Sequence, residues 1–188
     1  MKAFKLFLFF VAVANPLLAF ATPKRVLIVR HAEKPSDEEN FLSARGRARA
    51  EAIAALFTAE ENERRLGSPE LIFAAAPKHA HSSVRPYQTV APLARALHLK
   101  VNLDYTKDET EELARDLLKA PEYDGKTILI SWVHKEIPAL AEALGATEVP
   151  AKWDGDTYDR IWKINFPRER AGDLIDLPQN ALPGDSKR

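Results

Sequence analysis

Val26, Leu27, Ile28 and Val29 form an unbroken run of branched aliphatic residues that stops abruptly at Arg30 and His31. A short segment that is apolar at every position, rather than at alternate ones, has the pattern of a strand buried on both faces. Such strands belong to parallel sheets covered by helices. In open sheets of that kind, ligands bind beyond the carboxyl ends of the strands. Arg30 and His31 therefore arrive together where a guanidinium fork clamps an anion and an imidazole serves as nucleophile or base.

Two further segments repeat the pattern. Residues 71–75 are apolar and run into a loop, 76–83, that carries Pro77, Lys78, His79 and His81. Residues 127–133 are the strongest strand signal in the chain and end in His134. Between these strands the spacing predicts helices. One covers 44–60, with Ser43 as N-cap and Gly46, Ala50, Ile53 and Phe57 on one face. Gly46 weakens the first turn of that helix, which points to a close approach there. Arg45, Arg47, Arg49, Arg64 and Arg65 read as a solvated face. A second helix begins at Arg85-Pro86, because proline favours the first helical position; Arg85 is thereby placed at a helix N-terminus, where anions are favoured. Pro92 is expected to kink it.

Residues 99–105 read as a weaker strand. Asp108 to Glu111 read as a cap with a box-like glutamate, opening a helix through Leu113, Leu117 and Leu118. A short helix over 139–144, stopped by Gly145, and a last strand over 161–166 complete the pattern. Residues 171–188, rich in proline and polar side chains, are expected to be an extended tail.

The chain has 188 residues, enough for one domain with a proper core. Its formal net charge is zero, so nothing draws it to nucleic acid. The absence of cysteine excludes disulfides and thiolate catalysis. Lys2 and Lys5, an apolar run to Phe20 and the small-x-small Ala19-Phe20-Ala21 have the layout of a secretory signal peptide. The expected organisation is signal peptide 1–21, a domain over 22–170 and the tail. The expected location is periplasmic or secreted, without stable membrane insertion after cleavage.

Arg30, His31, Arg85 and His134 all follow strand ends, and so converge on one sheet edge. Two guanidinium forks match the oxygen pairs of a phosphate. One histidine can attack phosphorus while the other stabilises the equatorial oxygens. His79 and His81 have metal-ligand chemistry, but no third ligand lies nearby; no metal or other cofactor is expected.

In these residues the sequence resembles the histidine phosphatase superfamily. Arg30-His31-Ala32 matches its Arg-His-Gly motif. Leu42, Ser43, Gly46, Arg49 and Ala50 match a Leu-Ser/Thr-x-x-Gly-x-x-Arg/Gln-Ala motif. Arg85, Gln88 and Thr89 match Arg-x-x-Gln-Thr, and His134 is the strand-end second histidine. The resemblance covers about residues 25–145. It implies a phosphoglycerate-mutase-like α/β fold, a three-layer α/β/α sandwich around a mostly parallel sheet. It further implies transient phosphorylation of His31, with Arg30, Arg85 and His134 forming the phosphate pocket.

The sequence departs from the family pattern at Ala32, which replaces a glycine, and at Lys135, which stands where one branch carries an aspartate. Asp104 and Glu109 fit the acid pattern of another branch, although Lys107 replaces its leucine. Glu109 is thus the expected general acid, with Glu33 as the other candidate. A helix N-terminus is an equally good reason for the acids at 109, 111 and 112. The implied activity is metal-independent hydrolysis of a small phosphomonoester, such as a phosphosugar or a phosphorylated envelope component. A non-catalytic phosphate-ligand binder and a mutase-like phosphotransferase are the alternatives.

Overall fold

The computed structural model describes residues 22–36, 39–167 and 171–186. The segment expected to be a signal peptide lies outside the described residues. Six strands form one sheet: β1 (Arg25–Arg30), β2 (Leu71–Ala74), β3 (Val101–Asn102), β4 (Thr127–Trp132), β5 (Arg160–Asn165) and β6 (Ile175–Pro178). Their order is β3-β2-β4-β1-β5-β6. The first four are mutually parallel, and β5 and β6 are antiparallel to their neighbours. The carboxyl ends of β1, β2, β3 and β4 consequently share one edge, as the apolar runs predict.

Both faces of the sheet are covered. Leu27 and Val29 of β1, with Ile72 and Leu129, pack beneath α1 (Ala44–Thr58) and α3 (Arg85–Ala96). The short α2 (Glu60–Glu63) continues from α1. Val26 and Ile28, with Phe73, Ile130 and Trp132, pack beneath α4 (Thr110–Leu117) and α5 (Ile137–Ala143). Alternate residues of one strand thus serve opposite layers, so no polar position is tolerated between Val26 and Val29. The result is the three-layer α/β/α sandwich. No described helix is long and apolar enough to cross a membrane.

Ser43 caps α1, its hydroxyl accepting from the Gly46 amide at 3.0 Å. The glycine has a specific cause. A methyl at position 46 would overlap the Glu33 carbonyl oxygen and stand 3.0 Å from the Glu33 nitrogen. The helix start therefore presses on the loop that follows His31. Gly46→Ala should destabilise the fold by about 1–3 kcal/mol, as overpacking does, and displace that loop. Urea unfolding measures the cost; a variant as stable as the parent would mean that the two segments are not in contact.

Three expectations require correction. The weak strand at 99–105 shrinks to Val101–Asn102, because only two residues pair with β2. The segment expected to be an extended tail is not loose over its described residues, 171–186: Ile175–Pro178 pairs antiparallel with β5, and Gln179 is fully buried. The arginine face is not uniformly solvated. Arg49 is 2% exposed, and its guanidinium binds Glu33 at 2.9 Å, Asp185 at 2.8 Å and the Gln179 side-chain oxygen at 3.0 Å. Arg65 donates to the Pro178 carbonyl and helps to hold β6.

Candidate active site

At the carboxyl edge of the parallel strands lies a cavity of about 460 Å³, whose walls include Arg30, His31, Arg85 and His134. His31 and the three residues expected to form its phosphate pocket are brought together. A larger groove of about 770 Å³ lies beside Thr22, Leu144 and Phe166, towards the amino end of β1, and contains none of them.

His31 is 3% exposed. Its amide donates to the Trp132 carbonyl at 3.0 Å, continuing the β1–β4 pairing past the strand end. Its Nδ1 lies 2.8 Å from the Ala32 carbonyl. A carbonyl can only accept, so Nδ1 carries the proton and Nε2 carries the lone pair. Burial, followed by the nearby Arg85 and Arg30 charges, pushes the His31 imidazole down to about 3. The ring is therefore neutral at physiological pH, as a nucleophile must be. Burial, with Arg30 and Lys135, likewise brings His134 down to about 4.

The family-like motifs hold this turn in place. Thr89 Oγ1 accepts from the Ala32 amide at 2.8 Å and donates to the Arg85 carbonyl at 2.8 Å. Gln88 accepts from the Leu42 amide at 2.9 Å. The Ala32 side chain, where a glycine was expected, fills a small apolar cluster with Leu42 and Ala50.

Each arginine is oriented by one part of its fork and retains another for a ligand. Arg30 Nη1 donates to the carbonyls of Gly155 and of Thr157, the latter at 3.1 Å. Its Nε is buried without a hydrogen-bond partner among the described residues. Arg85 Nε donates to Ser83 Oγ at 2.8 Å, while its buried Nη1 has no such partner. Buried guanidinium N–H groups are costly unless an acceptor meets them. Replacing Arg85 with lysine keeps the charge but loses the fork. The variant should lose about 1.5–3 kcal/mol of transition-state stabilisation, read as kcat/KM. Parental kcat/KM in Arg85→Lys would remove Arg85 from the pocket.

Tyr158 escaped the sequence reading. Its ring lies under Arg30, 3.8 Å from the guanidinium carbon, and 6.2 Å from the His31 ring centroid. It arrives from the segment before β5, whose antiparallel direction starts that strand at the carboxyl edge of the parallel strands. Asp154-Gly155, a common turn pair, is the sequence signal near this segment.

Neither acid candidate enters the cavity. Glu109 N-caps α4, but its side chain turns back on its own loop and accepts from the Thr106 amide and hydroxyl, both at 2.7 Å. Those two bonds hold its carboxyl below the usual range, the wrong direction for a proton donor at neutral pH. Glu33 is bound by Arg49 and Arg45 on the far side of the loop. Among the described residues, Glu136 is the one carboxylate that lines the cavity. His79 also lines it and His81 does not; no group of three or more metal-ligating side chains forms among the described residues.

No family model matches the sequence. No curated protein matches it either. Solved structures do. A mycobacterial glucosyl-3-phosphoglycerate phosphatase is 17% identical and covers 84% of this chain and 99% of its own, with a TM-score of 0.56. An alpha-ribazole phosphatase from Shigella flexneri is 16% identical, covers 86% and 100%, and has a TM-score of 0.52. The chain has the phosphoglycerate-mutase-like fold. A phosphoserine phosphatase from Entamoeba histolytica, solved with 3-phosphoglyceric acid, adds a third case: 14% identity, 85% and 98% coverage, TM-score 0.53. At these identities the likeness is one of fold. Within the phosphoglycerate-mutase-like fold, the four residues of the cavity stand at strand and helix ends, as the sequence motifs require.

Proposed function

We infer that the protein is a phosphomonoester hydrolase of the histidine phosphatase superfamily. The observation that carries this reading is the joining, in one cavity, of a neutral, buried His31 and two arginines whose buried N–H groups have no partner among the described residues. The fold shared with solved phosphatases supports it. Arg30 and Arg85 bind the phosphoryl oxygens, and His31 Nε2 attacks phosphorus. The N–P bond forms as the ester P–O bond breaks, and the leaving oxygen takes up a proton. Water then attacks the phosphohistidine, returning the nitrogen lone pair and releasing inorganic phosphate. His134 stabilises the equatorial oxygens in both steps.

The reaction is metal-independent in this reading, because the arginines supply the charge that a metal would. Export is part of the reading as well and rests on the composition of residues 1–21. N-terminal sequencing of secreted or periplasmic material should begin at Thr22.

A phosphomonoester panel on the mature protein tests the activity. Turnover that resists EDTA is expected. Tight phosphate binding without turnover would instead make the protein a binder. Glu136→Gln tests the one lining carboxylate: an acid role requires alkyl phosphates to slow by roughly 10²-fold or more, and aryl phosphates little. Glu109→Gln should slow neither.

A further inference from the structure

Each of the four parallel strands delivers a lysine to the cavity: Lys34 after β1, Lys78 after β2, Lys107 after β3 and Lys135 after β4. Given the sheet order, they follow one another along the carboxyl edge as Lys107, Lys78, Lys135 and Lys34. The chain as a whole is formally neutral. Six cationic side chains around one cavity, against Glu136 as the one lining carboxylate among the described residues, are thus a local concentration and not a reflection of composition.

The lysines fall into two pairs. Lys78 and Lys107 both bind Asp108, so one carboxylate serves two ammonium groups. Burial, then the Arg85, Arg30 and Lys135 charges, lowers the Lys34 ammonium while Asp156 opposes them, and Lys135 and Lys34 both act on the His134 ring. The backbone around them is anchored. Trp132 Nε1 donates to the Lys107 carbonyl at 3.2 Å, and the Glu136 amide closes the Lys135 turn on Val133 at 2.9 Å. The reacting phosphate already has Arg30 and Arg85 as partners. Like charges gathered beyond those two repel one another, and an anion relieves that repulsion. Lysine, a point charge on a flexible stem, suits a group whose position varies at the mouth of the cavity.

We propose that the substrate carries a second anionic group, a phosphate or carboxylate, which the lysines of the four strand ends hold while Arg30 and Arg85 hold the phosphoryl group that reacts. This inference rests on the phosphatase reading of the same cavity.

The test compares matched substrates on the mature protein. Fructose 1,6-bisphosphate is set against fructose 6-phosphate, and 3-phosphoglycerate against glycerol 3-phosphate; phenyl phosphate serves as the common reference. At low salt the doubly anionic member of at least one pair should have a kcat/KM higher by roughly tenfold or more, an advantage that shrinks as added salt screens the lysines. The pair with the larger advantage names the second group. Lys34→Gln/Lys135→Gln and Lys78→Gln/Lys107→Gln should bring that ratio towards one. The ratio is the readout, so a loss of folded protein cancels. Ratios near one, with phenyl phosphate turned over, would overturn the inference and leave the phosphatase standing. A high ratio that neither lysine variant lowers would overturn the assignment to these residues. No turnover of any substrate would overturn the phosphatase reading itself, and this inference with it.

Discussion

His31→Ala should abolish turnover, a loss on the order of 10⁴-fold or more, as expected when the nucleophile of a covalent mechanism is removed. The phosphoenzyme should vanish with it. Rapid quenching with labelled substrate, without acid, traps an acid-labile label on the parent protein. Label retained by His31→Ala would move the nucleophile elsewhere, His134 being the next imidazole in the cavity. The ring also sets a pH dependence of stability. The unfolded chain takes up this proton near the ordinary histidine value of 6.5, and the fold only at about 3. Between those values the unfolded state binds more protons, so stability falls as the pH falls, by about 1.4 kcal/mol per unit for a fully buried group. Unfolding followed by urea in phosphate-free buffer should show that slope flatten in His31→Ala. An unchanged slope would mean that the imidazole is not held neutral.

Arg49→Leu should destabilise the fold by roughly 3–5 kcal/mol, the cost of breaking a buried ion pair from one side. The guanidinium serves two carboxylates, and the side chains of Glu33 and Asp185 are 13% and 3% exposed. Leucine fills the volume but leaves both acids without their main counter-charge. Asp185→Asn should cost less, since an amide oxygen can still accept from Arg49. Urea midpoints measure both. A shift below about 1 kcal/mol for Arg49→Leu would mean that solvent reaches the cluster freely. On the proposed reading activity should fall as well, because Glu33 follows Ala32 and belongs to the loop after His31.

The parts of the protein legible in the sequence are those whose cause is local. Val26 to Val29 and 127–133 announce their strands because burial on both faces excludes polar side chains. Arg30, His31 and His134 could be placed because they adjoin those runs, and Arg85 because Pro86 marks a helix start. Gly46 signalled a close approach, although not its partner, Glu33. What escaped the reading depends on residues distant in sequence. Arg49 has the composition of a solvated arginine until Gln179 and Asp185 return to it. Tyr158 reaches Arg30 only because β5 runs antiparallel. β6 is short, half exposed and ends in Pro178, so neither burial nor alternation marks it. Glu109 lies outside the cavity for a different reason: two hydrogen bonds to Thr106 decide where its carboxylate points, and spacing does not encode them.

The bonds that close the site also bear on the order in which the molecule assembles. Arg30 and Gly155 are 125 residues apart along the chain, and Arg49 and Asp185 are 136 apart. Contacts of such separation, like the pairing of β1 with β5, repay their loop-closure entropy late, after the helices have formed. Refolding chains should therefore regain their circular dichroism before they regain their catalysis. A cut between Pro178 and Asp185 would leave a chain with nearly all of its secondary structure, but with Arg49 bound to Glu33 alone and no longer tied to Asp185.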